Sequence, residues 1–239
     1  MPVAQTKSSE LIDILNELRD SELDPFTISR LKRDISKLSD YDERYMFSGM
    51  LEAVLGNLEE TINNFNRSLQ LNFSYLTCDN FVIALGNLCE YALAREKIIE
   101  FSLDSHDPAL LKLAFHYSYM FLDIDNCVNN FEILKKLKVT TQEQECIHDK
   151  EVTYMTQLIE AKLVSSENLL KIGTIAMMSI ESHNLNVTNN TISLQCEDDQ
   201  KLRVKYYVEQ STDTDTILGL NDHFIDNLID EDLDLLPVV

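Results

Sequence analysis

Tyr45-Met-Phe-Ser-Gly-Met-Leu-Glu-Ala-Val-Leu-Gly56, followed by Asn57-Leu-Glu-Glu-Thr-Ile-Asn-Asn-Phe-Asn-Arg-Ser-Leu-Gln-Leu71, reads as two helices joined at a glycine. The second helix carries Leu58, Ile62, Phe65 and Leu69 at helical spacing, and Gly56 turns the chain ahead of it. The fragment Ile62-Asn-Asn-Phe65 returns as Val128-Asn-Asn-Phe131, 66 residues later or twice 33. Periods of that size mark stacked helix pairs. Leu85-Gly-Asn-Leu88 also copies Leu55-Gly-Asn-Leu58, but at 30 residues, which leaves the register of the middle unit open.

Working outward, each flank carries the signals of further helices. Leu11, Ile14, Leu15 and Leu18 form one stripe over about 9–20. Asp24-Pro25 reads as N-cap and first helical residue of a helix with Ile28, Leu31, Ile35 and Leu38 inward. Its outer face, with Arg30, Lys32, Arg33 and Lys37, is the one dense basic patch. It is either a solvated face or a dock for an acidic partner or for the chain's own tail. The quoted pair is expected at about 42–55 and 58–71, and another at 76–87 and 89–103. Asp107-Pro108 opens a helix to Leu122, and its partner runs from Asp125 to Lys138. Thr140-Thr-Gln-Glu143 has capping-box spacing and starts a helix to about Val164; Ser165-Ser-Glu167 starts one reaching Ile180.

The pattern then changes to alternation. Leu185–Thr188, Thr191–Cys196 and Leu202–Val208 favour β-branched residues, with turns expected at Asn189-Asn190 and 197–200. These predict a small antiparallel meander of two or three strands. A polar linker over 210–215 leads to an amphipathic helix carrying Ile217, Leu220, Phe224 and Leu228. We therefore expect a mainly α fold of antiparallel helical hairpins over 1–182, followed by a β-meander and an acidic helix over 183–239. Five glycines and four prolines in 239 residues fit long helices better than a many-stranded sandwich.

Charge limits the partners. The formal net charge is −21, and after Lys205 nine acids follow without a single Lys or Arg. Direct binding to a phosphate backbone or an anionic membrane needs the opposite sign. A basic protein partner fits. The five cysteines are scattered with no CxxC pair, as buried thiols of a reducing compartment are, and no segment reads as a signal peptide or a membrane span. The expected location is cytoplasmic.

Residues 42–73 resemble a tetratricopeptide repeat. Gly49 and Gly56 sit seven apart as in that motif, Tyr45 holds the place of its first-helix aromatic, and Leu58, Ile62, Phe65, Leu69 and Leu71 match its second-helix stripe. Ser48, Glu52, Thr61, Ser68 and Phe73 depart from it. The unit near 109–138 keeps Asn129-Asn-Phe131 without the glycines. An ordinary antiparallel bundle fits the same helices. The resemblance implies that the first helix of each pair lines a groove. Its positions would be Glu43, Met46 and Met50, then Leu76, Asp79 and Ile83, then Lys112, His116 and Tyr119. Plain packing between helices is the other reading of the apolar ones. Lys112 alone among them is basic, which argues against capture of a terminal carboxylate.

Motifs for catalysis are absent: there is no Gly-rich phosphate loop, Gly-x-Ser-x-Gly or His-Glu-x-x-His. Cys146-Ile-His148-Asp149 falls early in an expected helix, where residues two apart diverge. Asp230-Glu231-Asp232-Leu-Asp234 lacks the spaced ligands of a calcium loop. We expect no metal and no cofactor. The expectation is a non-enzymatic protein–protein interaction module, an adaptor or scaffold. Phe224, Asp230, Glu231 and Asp232 of the C-terminal segment add a second surface for a protein partner or a second copy of the chain. The alternative is an acidic inhibitor, antitoxin or immunity-type protein masking a basic nuclease or toxin; an enzyme of a class without short motifs comes last.

Overall fold

The computed structural model describes residues 7–18, 23–103, 106–139, 164–195, 201–208 and 212–230, together with most of 150–160. The expected capping box at Thr140–Glu143, the Cys146/His148/Asp149 cluster, the turn at 197–200, Glu231, Asp232 and the terminal peptide 233–239 lie outside the described residues. The described elements, in chain order, are α1 (Lys7–Glu17), α2 (Pro25–Ser36), α3 (Tyr41–Val54), α4 (Leu58–Leu71), α5 (Tyr75–Asn87), α6 (Tyr91–Ser102), α7 (Pro108–Met120), α8 (Ile124–Leu137), α9 (Ser166–Ser182), β1 (Val187–Gln195), β2 (Lys201–Val208) and α10 (Thr214–Asp230). The chain divides into two units, Met1–Glu90 and Tyr91–Val239; the boundary expected at 182/183 falls inside the second.

The period that the sequence hinted at is present in the backbone. Helices α2, α4, α6 and α8 begin at residues 25, 58, 91 and 124, each 33 after the last. Ahead of the last three, one residue takes positive φ: Gly56 at 77°, Cys89 at 59° and Leu122 at 54°. The next amide returns to the carbonyl five residues back: Asn57 to Glu52 at 2.9 Å, Glu90 to Leu85 at 2.9 Å and Asp123 to Ser118 at 2.8 Å. This is a Schellman closure, which satisfies the carbonyls a helix end leaves open and reverses the chain. It settles the register of the middle unit. The counterpart of Gly56 is Cys89, not Gly86, so the 30-residue copy Leu85–Leu88 was a misleading match. Glycine is the easy residue in this conformation, and Cys89 and Leu122 accept about 1–2 kcal/mol of strain there. Burial of both side chains offsets it.

The two proline starts form as expected. Asp24 accepts from the amides of Phe26 and Thr27, and Asp107 from those of Ala109 and Leu110. The Thr27 hydroxyl above all, with its amide, holds the Asp24 carboxyl below its ordinary pKa.

In the first unit α3 packs on α4, α1, α2 and α5. Phe65 of α4 stacks on Phe81 of α5, centroids 4.8 Å apart. Gly49 is needed beside it, since a Cβ there would lie 2.7 Å from the Phe65 ring. Thr61 and Ser68, which replace small apolar residues of the repeat motif, are fully buried. Their hydroxyls are satisfied by the Asn57 and Asp42 carbonyls at 2.9 and 2.8 Å, so neither is an orphan. Glu52, another departure, pairs with Lys32 at 3.0 Å.

In the second unit the core gathers Phe115, Tyr119, Leu122, Ile124, Cys127, Phe131, Met155 and Leu169. Helical residues Val152, Met155 and Ile159 turn one face toward it. α9 contacts α6, α8 and α10. Gly173 lets it approach the α7–α8 turn, where any Cβ would overlap the Phe121 carbonyl.

The expected meander is a two-stranded antiparallel hairpin. Asn189 and Asn190, expected to form a turn, lie inside β1 opposite Tyr207 and Tyr206. The irregularity falls at Val187/Asn189, where the register shifts. Pairing with an aromatic, β-branched partner strand overrides the weak strand preference of two asparagines. The Tyr206 hydroxyl donates to the Met120 carbonyl at 2.7 Å and anchors the hairpin at the end of α7; its burial raises the phenol pKa. Asp213 caps α10 by accepting from Thr216.

Gly56→Ala meets open space, so its cost is conformational alone. Urea titration is expected to find it about 1 kcal/mol less stable. Gly173→Ala must part α9 from backbone, and the same titration is expected to lose about 3 kcal/mol or more.

Candidate interaction surface

At the end of the α3–α4 hairpin away from Gly56, polar bonds clamp the helices. The Asp42 carbonyl takes the Ser68 hydroxyl, and Asp42 Oδ2 takes the Asn72 amide at 2.8 Å. The chain then enters α5 after three residues. Large apolar groups remain in water along this stretch: Leu71, Phe73, Tyr75 and Leu76 are all exposed, Phe73 at 58% and Leu76 at 53%. Phe73 sets its edge to Tyr75 with centroids 5.9 Å apart. Tyr41, 65% exposed at the start of α3, lies under the Arg44 guanidinium at 4.7 Å. Single exposed apolar residues are ordinary, whereas several gathered within six residues make a candidate contact surface.

The run continues along α5. This helix is apolar nearly all round, burying Cys78, Phe81, Val82, Ala84 and Leu85 on one side. Leu76 and Ile83, seven residues or two turns apart, stay exposed, with Asp79 half-buried between them. These are three of the positions that the repeat resemblance assigns to a groove, and they share one line of the helix.

The other expected positions divide. Glu43 is half-buried and accepts from the Ser8 hydroxyl of α1 at 2.9 Å. Met46 and Met50, expected to face a partner, are buried at 3% and 8% exposure. α1, α2 and α5 all pack on α3, and the Met46 sulfur lies 3.6 Å from the Thr77 hydroxyl of α5. They are core residues. Lys112 and His116 are exposed one turn apart on α7. Tyr119, expected beside them, is instead 4% exposed and stacks on Phe115 within the core. Phe224 is half-buried on α10, and Asp230 ends that helix.

Leu71, Phe73 and Tyr75 are exposed outside the expected groove positions, and Phe73 enters the repeat resemblance only as a departure from its closing proline. The signal is the apolar composition of the connection and the helix ends beside it, Leu71-Asn-Phe-Ser-Tyr-Leu76, where polar turn residues are the rule.

Several charged and metal-ligating groups elsewhere have structural partners. In the second unit Arg95 pairs with Asp123 and lies over the Phe121 ring at 5.3 Å. Asp123 also caps α8 through the Asn126 amide, and Glu181 of α9 caps α6 by accepting from the Ala92 amide at 2.6 Å. His183 and His223 lie 5.8 Å apart with the Ser182 hydroxyl between their Nδ1 atoms. Among the described residues no three metal-ligating side chains converge, and no helix is long and apolar enough to cross a membrane.

No protein-family model, curated protein or solved structure matches this chain.

The Arg95–Asp123 pair gives a clean test of what holds the second unit. Asp123→Ala leaves a mostly buried guanidinium without its anion and is expected to cost about 3 kcal/mol in chemical denaturation. Removing both charges with Arg95→Met and Asp123→Asn, which keeps a capping side chain, is expected to recover at least about 1 kcal/mol of that loss.

Proposed function

We propose that this chain is a non-enzymatic protein-interaction module built of tetratricopeptide-like helical hairpins, and that it holds its partner along α5. The 33-residue recurrence of second helices and of their left-handed entry residues supports the repeat reading. First helices α1 and α5 both neighbour α3, the arrangement in which such helices line a common face. The observation that carries the function is the exposed apolar line of Phe73, Tyr75, Leu76 and Ile83.

Such a line suits a partner segment with apolar side chains at helical or extended spacing. Phe73 and Tyr75 offer rigid aromatic anchors with little rotamer entropy to lose.

Leu76→Asp combined with Ile83→Asp places two carboxylates on an exposed line without touching the core. Thermal melting is expected to stay within a degree or two of the native chain, as surface changes of this kind are worth about 0.5 kcal/mol or less. A pull-down from native lysate is expected to retain a partner on the native chain in both low and high salt, and to lose it with the double variant. Equal retention by both proteins sinks the α5 reading. Retention of a single basic protein at low salt only would favour the acidic-inhibitor alternative.

A further inference from the structure

Helix α2 runs against the charge of the chain. Leu31 and Ile35 are buried, while the opposite side shows Phe26, Arg30 and Arg33, all exposed, Phe26 at 76%. Among the described residues Lys32 is paired with Glu52 and Lys37 with Asp34, but no ion pair engages Arg30 or Arg33. An aromatic group followed by two arginines at steps of four and three residues asks for an acidic helix that also carries an apolar side chain.

α10 has that composition. One side, with Gly219, Leu220, His223 and Phe224, is half-buried, and Gly219 and His223 meet His183 of α9. The other side presents Asp222, Asp226 and Ile229, all exposed, Ile229 at 70%. No cation follows Lys205 anywhere in the sequence to neutralise these acids from within the segment.

We propose that the outer face of α10 docks antiparallel on the outer face of α2 in a second copy of this chain. Ile229 then lies against Phe26, Asp226 against Arg30 and Asp222 against Arg33. The spacings agree. Phe26, Arg30 and Arg33 advance by four and then three residues; Ile229, Asp226 and Asp222 retreat by three and then four. No pair is offset by more than one residue, or about 1.5 Å of helix rise. The aromatic–aliphatic contact supplies apolar burial, and the two ion pairs fix direction and register. Two copies at −21 each repel at long range, so very low salt opposes the association. At physiological ionic strength the Debye length of about 8 Å removes that repulsion while leaving pairs in contact.

Sedimentation velocity of the full chain across a concentration series, at near-physiological salt, tests the proposal. The native chain is expected to show concentration-dependent self-association. Arg30→Glu with Arg33→Glu, and separately Asp222→Lys with Asp226→Lys, are each expected to weaken it at least about tenfold. An equimolar mixture of the two variants is expected to associate again, since the reversed charges now complement each other. Both variants are required to keep the helical circular-dichroism signal and melting behaviour of the native chain. Recovery in the mixture excludes misfolding as the cause of any loss. A native chain that stays monomeric at every concentration overturns the proposal and leaves the α2 strip to a foreign acidic helix or to solvent. So does an association that survives both reversals, or a mixture that fails to recover. None of these outcomes involves the α5 line, so the two readings stand or fall separately.

Discussion

The constraint on which the helical hairpins depend is a backbone one: a residue at positive φ, followed by an amide that returns to the carbonyl five residues earlier. At Gly56, Cys89 and Leu122 this closure ends a first helix and sets the start of the second within two residues. With so short a connection α3 packs on α4, and α7 packs on α8. The side chains that fill the space between them are then dictated by position. Thr61, Ala94 and Cys127, 33 residues apart, are all fully buried on second helices, and so, within 2%, are Phe65, Ile98 and Phe131. What is held constant along the chain is the backbone conformation and the burial of these positions, while the residue types drift.

Several polar contacts among the described residues hold elements together. Thr61 and Ser68 keep small-residue sites tight by bonding their hydroxyls to nearby carbonyls, and Glu52 leaves the repeat pattern to pair with Lys32. Arg95 and Asp123 tie α6 to the α7–α8 turn, and Glu181 reaches from α9 to the first amides of α6. Large apolar side chains stay exposed along the α5 line, at Phe26 of α2 and at Ile229 of α10.

Burial divides the site that the repeat resemblance implied. On α5 the assigned positions Leu76, Asp79 and Ile83 share one outward line. On α3 the matching methionines are covered, because α1, α2 and α5 all pack against that helix, and on α7 Tyr119 is drawn into the core with Phe115 and Phe131. Whether a first-helix side chain faces a partner or a neighbour depends on how many elements crowd its helix. The heptad-like spacing of apolar residues is the same in both cases, so spacing alone does not separate them. Phe73 and Tyr75 show the converse: Phe73 stands in a connection and Tyr75 at the first position of α5, outside the expected groove positions, and only their exposure reveals them.

By itself the sequence determined what local pattern and composition can determine. The proline starts at Asp24 and Asp107, the glycine turn at Gly56, the apolar stripes of the helices, the alternating residues of the C-terminal strands and the run of acids after Lys205 each follow from a few neighbouring side chains. Tertiary structure decided everything that depends on what packs against what. It put Cys89 and Leu122 into a conformation that glycine favours, because burial of their side chains outweighs the strain. It drew Asn189 and Asn190 into a strand, because a paired partner satisfies their backbone better than a turn. It hid Met46, Met50 and Tyr119 while leaving Leu76 and Ile83 in water, because exposure is a property of the neighbours and not of the residue.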